Sequence, residues 1–427
     1  MLIKFSVQNY LSFKELSSLE MLPASIKQHE ENILSCANYK LLKSAAIFGA
    51  NASGKSNLFK AMSFAKNFIL NSSKDMQANE NIPITPFLLS DTTDKEPSLF
   101  EFIFLKNNIK YRYGFRVTQD KVVDEWLFTA SKNKESLLFN RHLQEFNLSS
   151  KFKEGRNLKI LTRENALFLS VVAQFNGEIS QLILDWFTKI NIISGFSEYS
   201  GVTLNYLNNL NDRNEFINIF KIADFTIEDF KIEERDISEE PKFIQERVAR
   251  AKETCKNFRL RPKIKTIHNK YDINYNLIDN VEFDFKQNES KGTQNLFSIL
   301  GPILDTIQNG KILIIDELEC NLHPLLSRFL VKMFHLKNKS AQFIFNTHDT
   351  NLLNNRYFRR DQIYFIDKTK YGESNLYSLY DYNIRSDRTF DKDYLEGKFK
   401  AVPFIDEYGI LGNQLKYDCE EVQDGDR

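Results

Sequence analysis

The sequence predicts an α/β protein with a mixed-sheet lobe and a parallel α/β lobe, separated in the chain by a largely helical insertion. Three observations carry that prediction. Residues 49–56 read Gly-Ala-Asn-Ala-Ser-Gly-Lys-Ser, a complete G-x-x-x-x-G-K-[ST] loop set between apolar Ala45-Ala46-Ile47-Phe48 and a helical pattern. Far downstream, Lys311-Ile312-Leu313-Ile314-Ile315-Asp316-Glu317 and Gln342-Phe343-Ile344-Phe345-Asn346 contain short apolar runs of the kind that form strands buried on both faces. Between these regions, residues 136–280 carry helical periodicity at Ile179 to Ile190 and at Pro241 to Phe258.

Taken in order, residues 1–135 are strand-rich. Leu2-Ile3-Lys4-Phe5-Ser6-Val7 alternates as a strand, and the helix after the glycine loop runs to about Leu70. Ser98 to Phe104 and Tyr111 to Val117 then alternate as two further strands. Residues 136–280 read as a mainly helical insertion without a catalytic motif. Residues 281–427 return to an α/β layer: Val281, Phe283 and Phe285 mark a strand, Leu296 to Ile307 an apolar helix, and the acidic strand and its neighbour follow. No internal repeat is evident, and the polar tail after Tyr417 is the one segment expected to be weakly structured.

At 427 residues the chain is long enough for two domains, or for one domain with a large insertion. Its formal net charge is zero, so no global field draws it to nucleic acid or to a membrane. Cysteines stand singly at 36, 255, 320 and 419, away from the six histidines, which argues against a zinc site or a disulfide framework. The N-terminus lacks an apolar signal core, and no apolar run approaches the ~20 residues that span a bilayer. A reduced, cytoplasmic protein is expected.

The glycine loop has a chemical reading. Gly49 and Gly54 let the backbone turn its N–H groups toward one concavity, across Asn51, Ala52 and Ser53, and the helix starting near Lys55 and Asn57 adds its positive N-terminal end. Phosphate oxygens suit that cradle. Lys55 can reach the β- and γ-phosphates of ATP, and the Ser56 hydroxyl can ligate Mg²⁺. In the acidic strand, Asp316 can hold the same Mg²⁺ and Glu317 can polarise the attacking water. His348, in Thr347-His348-Asp349 at the end of the next strand, can position the γ-phosphate. A second phosphate-binding surface is expected at Asn288-Glu289-Ser290-Lys291-Gly292-Thr293-Gln294, which precedes a helix. Two such surfaces seldom face one nucleotide within one subunit, so a head-to-tail dimer would use both.

In this order, the phosphate loop, Glu-Ser-x-Gly-Thr, Ile-Ile-Asp-Glu with Leu322-His323-Pro324, and Thr-His-Asp resemble ABC-type ATPase heads of the RecF, SMC and OLD kind. The chain is most similar to bacterial ABC-type ATPases of abortive-infection and related anti-phage systems, known simply as AAA-type ATP-binding proteins. The resemblance covers residues 1–135 and 281–403, including Leu352 to Asp367 and Tyr394 to Pro403. It implies an ATP-dependent homodimer with nucleotide sandwiched between copies, Ser290 and Gly292 acting across the interface, and Glu317 as catalytic base. The glutamine usual in such heads is not evident at Ile84-Thr85-Pro86-Phe87-Leu88. The 145 residues between the halves cannot form the long heptad arm of an SMC protein. The 79 residues after His348 leave no room for the metal-binding Toprim domain of an OLD nuclease. The role the resemblance implies is a sensor or regulator of a separate effector protein encoded nearby, without nuclease activity.

One charge pattern remains. Asp224 to Glu240 holds eight acids and two bases, while Lys242 to Lys270 holds ten bases and two acids. It fits a basic surface at 242–270 for nucleic acid, as a RecF-like DNA-binding ATPase would need, or for an acidic partner, or else two solvated faces that pair with each other. The last of these readings is favoured because no aromatic residues interleave to stack bases.

Overall fold

The structure is a computed structural model that describes residues 1–402 except 37, 132–133, 196–200, 224–225, 235–241, 255–261 and 383–389. Parts of both charge runs, the 255–258 end of the helix expected over 241–258, Pro403 and the tail after Tyr417 therefore lie outside the described residues.

Two sheets organise the chain. Strands Leu2–Gln8, Ser17–Glu20, Ser98–Lys106, Ile109–Val117, Val122–Ser131, Lys134–His142 and Glu145–Leu148 form a seven-stranded antiparallel sheet. A six-stranded sheet runs in the order Ile190–Ser194, Ile312–Asp316, Gln342–Asn346, Ser44–Phe48, Ile363–Lys368, Ser374–Ser378. Its first five strands are parallel, and the last pairs antiparallel at the edge.

Helix Lys55–Asn71 lies between the sheets. Its Leu58, Phe59, Met62, Ala65, Phe68 and Ile69 join one core with Phe5, Phe100 and Phe102 of the antiparallel sheet and with Ile47, Ile312, Ile314, Ile344 and Ile366 of the parallel one. The alternate residues Phe48, Leu313, Ile315, Phe343, Phe345 and Phe365 face the other way, into a second core with helices Lys291–Asn309 and Pro324–Lys337. Because successive strand residues point to opposite faces and both faces are covered, these strands read as unbroken apolar runs.

The α/β class holds, and residues 136–280 carry strands as well as the expected helices. Helices Phe168–Gln174, Glu178–Thr188, Gly201–Asn208, Leu210–Ala223 and Lys242–Thr254 are present. So are Lys134–His142 and Glu145–Leu148 in the antiparallel sheet, Ile190–Ser194 at the edge of the parallel sheet, and the three-stranded antiparallel sheet Ile227–Glu233, Lys263–Tyr271, Leu277–Asp284. The helix expected over Ile179 to Ile190 is present as Glu178–Thr188, and Ile190, expected at its end, instead opens a strand because the β-branched Ile190-Asn191-Ile192-Ile193 pairs with Ile312–Asp316.

A buried ionic knot ties the segment to the antiparallel sheet. Glu125, fully buried, accepts from Phe168 N at 2.6 Å, Leu169 N at 2.9 Å and Tyr113 OH at 2.9 Å. It therefore caps helix Phe168–Gln174, which has no cap from its own N-cap residue. Arg141 lies 3.8 Å from the same carboxylate and donates to Ala166 O at 2.7 Å.

Candidate nucleotide site

The site forms where parallel strands end, the edge at which open α/β sheets bind ligands. Strand Ser44–Phe48 is wholly buried and leads into the Gly49–Gly54 loop, and helix Lys55–Asn71 leaves it. The glycines are required. A Cβ on Gly49 would stand 2.4 Å from Ile366 O, and Gly54 has φ +113° with Ser374 Oγ 2.2 Å from where its Cβ would be. Ala52 is also left-handed, at φ +61°. Alternation of these conformations turns backbone N–H groups inward, and no side chain caps the helix that follows.

Lys55 is buried, and its Nζ donates to Gly49 O at 2.7 Å and Ala50 O at 2.9 Å. Burial lowers its pKa to about 8 against the opposing pull of Glu319, Glu317 and Asp316. Ser56 Oγ donates to Asp316 Oδ1 at 3.0 Å, an oxygen that also accepts from Asn346 Nδ2. Asn346 Oδ1 in turn accepts from Glu317 N, and Glu317 turns out of the strand at φ +62°. Burial, then Asp316 and Glu319, push the Glu317 carboxyl above its ordinary pKa. Burial, then Lys55, hold His348 below its ordinary value, which keeps the imidazole neutral near pH 7.

Lys55, Ser56, Asp316, Glu317 and His348, expected from sequence, thus meet around the loop. Asn51 and Ala52 are exposed on it, Ser53 Oγ is buried with no hydrogen-bond partner among the described residues, and Asn57 Nδ2 donates to Ser12 Oγ at 2.8 Å. Ser290 is the N-cap of helix Lys291–Asn309 and accepts from Thr293 N at 3.1 Å. Gly292 lies against the turn after the acidic strand, since a Cβ there would be 2.8 Å from Asn321 O. These two residues are placed beside that turn, and among the described residues no hydrogen bond ties either of them to the phosphate loop of its own chain.

Several contributors escaped the sequence reading. Asn346 links Asp316 to Glu317, and a polar residue closing an otherwise apolar buried strand was the available signal. Glu319 Oε1 accepts from His348 N at 2.5 Å, two residues after the expected acidic pair. Ser374 Oγ donates to Ser53 O at 2.5 Å and accepts from Ser12 Oγ at 2.7 Å, bracing the loop from far in sequence. Gly195 N donates to Asp316 O at 2.7 Å, and a Cβ there would be 2.1 Å from Glu317 O. No local pattern announces the last two.

Residues 44–354 match the family described as "AAA domain, putative AbiEii toxin, Type IV TA system". The chain belongs to this family of ATPase domains. Family membership and the loop geometry agree on a nucleotide-binding fold. Among solved structures, the chain is similar to the SMC head domain from Thermotoga maritima, with 13% identity over 88% of this chain and 98% of that one and a TM-score of 0.40. It is also similar to an Smc head with an extended coiled coil bound to the C-terminal domain of ScpA from Pyrococcus furiosus, with 11% identity over 93% and 98% and a TM-score of 0.39. No curated protein matches the chain. No helix among the described residues is long and apolar enough to cross a membrane.

The residues present fit a magnesium nucleotide. Ser56 hydroxyl and Asp316 carboxylate are hard oxygen donors of the kind Mg²⁺ selects, and the unpartnered Ser53 hydroxyl and uncapped helix end offer donors to phosphate.

Proposed function

We propose that this chain hydrolyses ATP as an Mg²⁺-dependent homodimer and regulates a separate effector protein in a bacterial anti-phage, abortive-infection system. The observation that carries the reading is the link Ser56–Asp316–Asn346–Glu317, which joins the phosphate loop to a carboxylate of raised pKa. Lys55 exchanges its two carbonyl partners for phosphate oxygens, where its charge offsets theirs. Ser56 and Asp316 would hold Mg²⁺, whose positive charge would offset the negative charge of the terminal phosphates. Glu317 takes the proton of the attacking water, helped by a pKa raised toward the working pH. His348, neutral, donates to the γ-phosphate. Ser290 and Gly292 close over the nucleotide held by the other copy, with backbone N–H groups at their helix N-terminus.

The family description, which names a putative toxin of a type IV toxin–antitoxin system, supports an abortive-infection setting. In the reading proposed here the site's carboxylates serve the nucleotide and toxicity is assigned to a partner. Part of the charge pattern is paired internally: Lys231 and Lys265 both pair with Glu233 and Glu282.

The test is expression alone and with the protein encoded beside it. Cells tolerate the chain alone, and growth arrest requires both proteins and vanishes with Lys55→Ala. Arrest or nucleic-acid cleavage by the isolated wild-type chain, absent from Lys55→Ala, overturns the regulatory role. ATP-dependent, salt-sensitive retention of duplex DNA would instead identify a DNA-binding ATPase.

A further inference from the structure

The Ser290 loop is gripped from outside its own helix. In strand Lys263–Tyr271, Ile264, Thr266 and His268 share one face, and Ile264 and Thr266 are buried. From that face, Thr266 Oγ1 and His268 Nε2 both donate to Glu289 Oε1, the latter at 2.8 Å. The Glu289 side chain is only 8% exposed and immediately precedes Ser290. Its carbonyl is held as well, by Gln294 Nε2 at 2.8 Å from the first turn of helix Lys291–Asn309. A buried carboxylate needs such donors, because leaving it unpaired costs far more than a solvated one. The two donors belong to the three-stranded sheet, whereas the acceptor belongs to the nucleotide-facing loop.

We propose that Thr266 and His268 are positioning residues for the Ser290–Gly292 loop, acting through Glu289, so that the 263–284 hairpin sets how that loop meets nucleotide. The hairpin has the form of a lever. The strand that carries Thr266 and His268 pairs through Phe283 and Val281 with Leu277–Asp284 and runs on to a tip where Ile273 and Tyr275 are 95% and 87% exposed. That tip is ordered by Asp272, which accepts from Asn274 N and Asn276 N, each at 2.8 Å. Displacement of a rigid hairpin is transmitted along the strand to Thr266 and His268, and through them to the residue before Ser290. Phe285 against Phe297, at 4.7 Å between ring centroids, keeps the segment folded when the polar tie is cut. The inference rests on the reading that Ser290 serves the nucleotide of a second copy.

The test compares full-length wild type with Thr266→Val/His268→Phe, His268→Gln and Ser290→Arg. Two readouts are taken: ATP affinity of the monomer, and kcat together with ATP-dependent dimerisation. The double variant should bind ATP within about twofold of wild type, since the phosphate loop is untouched, and lose about tenfold or more in kcat through the loss of two charge-assisted bonds. His268→Gln, which keeps an N–H donor, should recover part of that loss. A merely structural tie would lower thermal stability and leave kcat of the folded protein unchanged. Turnover of the double variant within twofold of wild type, while Ser290→Arg is inactive, overturns this inference alone. Wild-type turnover in Ser290→Arg brings down the dimer reading beneath it. If the double variant does not fold, His268→Leu alone is measured, and unchanged kcat there overturns the proposal equally.

Discussion

Glu317 leaves its strand in a left-handed conformation that a non-glycine residue adopts only when its surroundings impose it, here through the bond from its N–H to Asn346. That pose, and a pKa raised by burial and by Asp316, make it the candidate base. Glu317→Gln should retain ATP and lose roughly 10²- to 10⁴-fold in turnover, the usual worth of a positioned base. Equilibrium ATP binding and single-turnover rates check this, with Lys55→Ala as the variant that fails to bind. Lys55 adds a pH signature. With its pKa lowered to about 8 by burial, the free enzyme loses that charge as pH rises through about 8, so kcat/KM should fall there while kcat, measured with phosphate bound beside the ammonium, falls later. A kcat/KM flat up to pH 9.5 would contradict it. At this scale the sequence was informative wherever chemistry dictates spelling: the loop, the acidic pair and the histidine. It was silent on Ser374 and Gly195, whose importance comes from a neighbour hundreds or scores of residues away.

Single elements show a different limit. Strands buried on both faces announced themselves, and Gln342–Asn346 has the bounds its apolar run suggests. Lys134–His142 and Glu145–Leu148 were hidden because they continue a sheet past the point where composition changes, and pairing, not propensity, decides them. Two predictions belong here. Glu125→Ala leaves Arg141 buried without its counter-charge and strips the N–H groups of Phe168 and Leu169 of their acceptor, so a loss of about 3–5 kcal/mol is expected in chemical denaturation. Helix Pro324–Lys337 is docked on strand Ser44–Phe48 through His335 Nε2 and Ser44 Oγ, 2.7 Å apart. Burial lowers the His335 pKa from 6.5 to about 3. Because the folded value is depressed, the unfolded chain binds the extra proton between those limits: the stabilisation is complete above pH 6.5 and is lost as pH falls toward 3. The thermal midpoint of wild type should therefore drop more steeply between pH 6.5 and 4 than that of His335→Gln. Parallel curves would remove His335 from that role.

Across the whole molecule, two cores share the parallel sheet, one on each face, so the phosphate loop, the acidic strand and the His348 strand are fixed by the same packed layer. The α/β class was legible because the parallel strands and their helices are strongly patterned. The arrangement of residues 136–280 was not, since its strands are interleaved with helices and Ile190–Ser194 pairs with Ile312–Asp316, far away in sequence. The central claim is that a complete site needs two copies: Lys55 and Glu317 from one, Ser290 and Gly292 from the other. Mixing Lys55→Ala with Ser290→Arg tests it most directly. In a heterodimer, both defects fall in one site and leave the other intact, so random pairing in an equimolar mixture should restore about a quarter of wild-type ATPase activity from two inactive proteins. Heterodimers that form and show no activity would contradict the composite site.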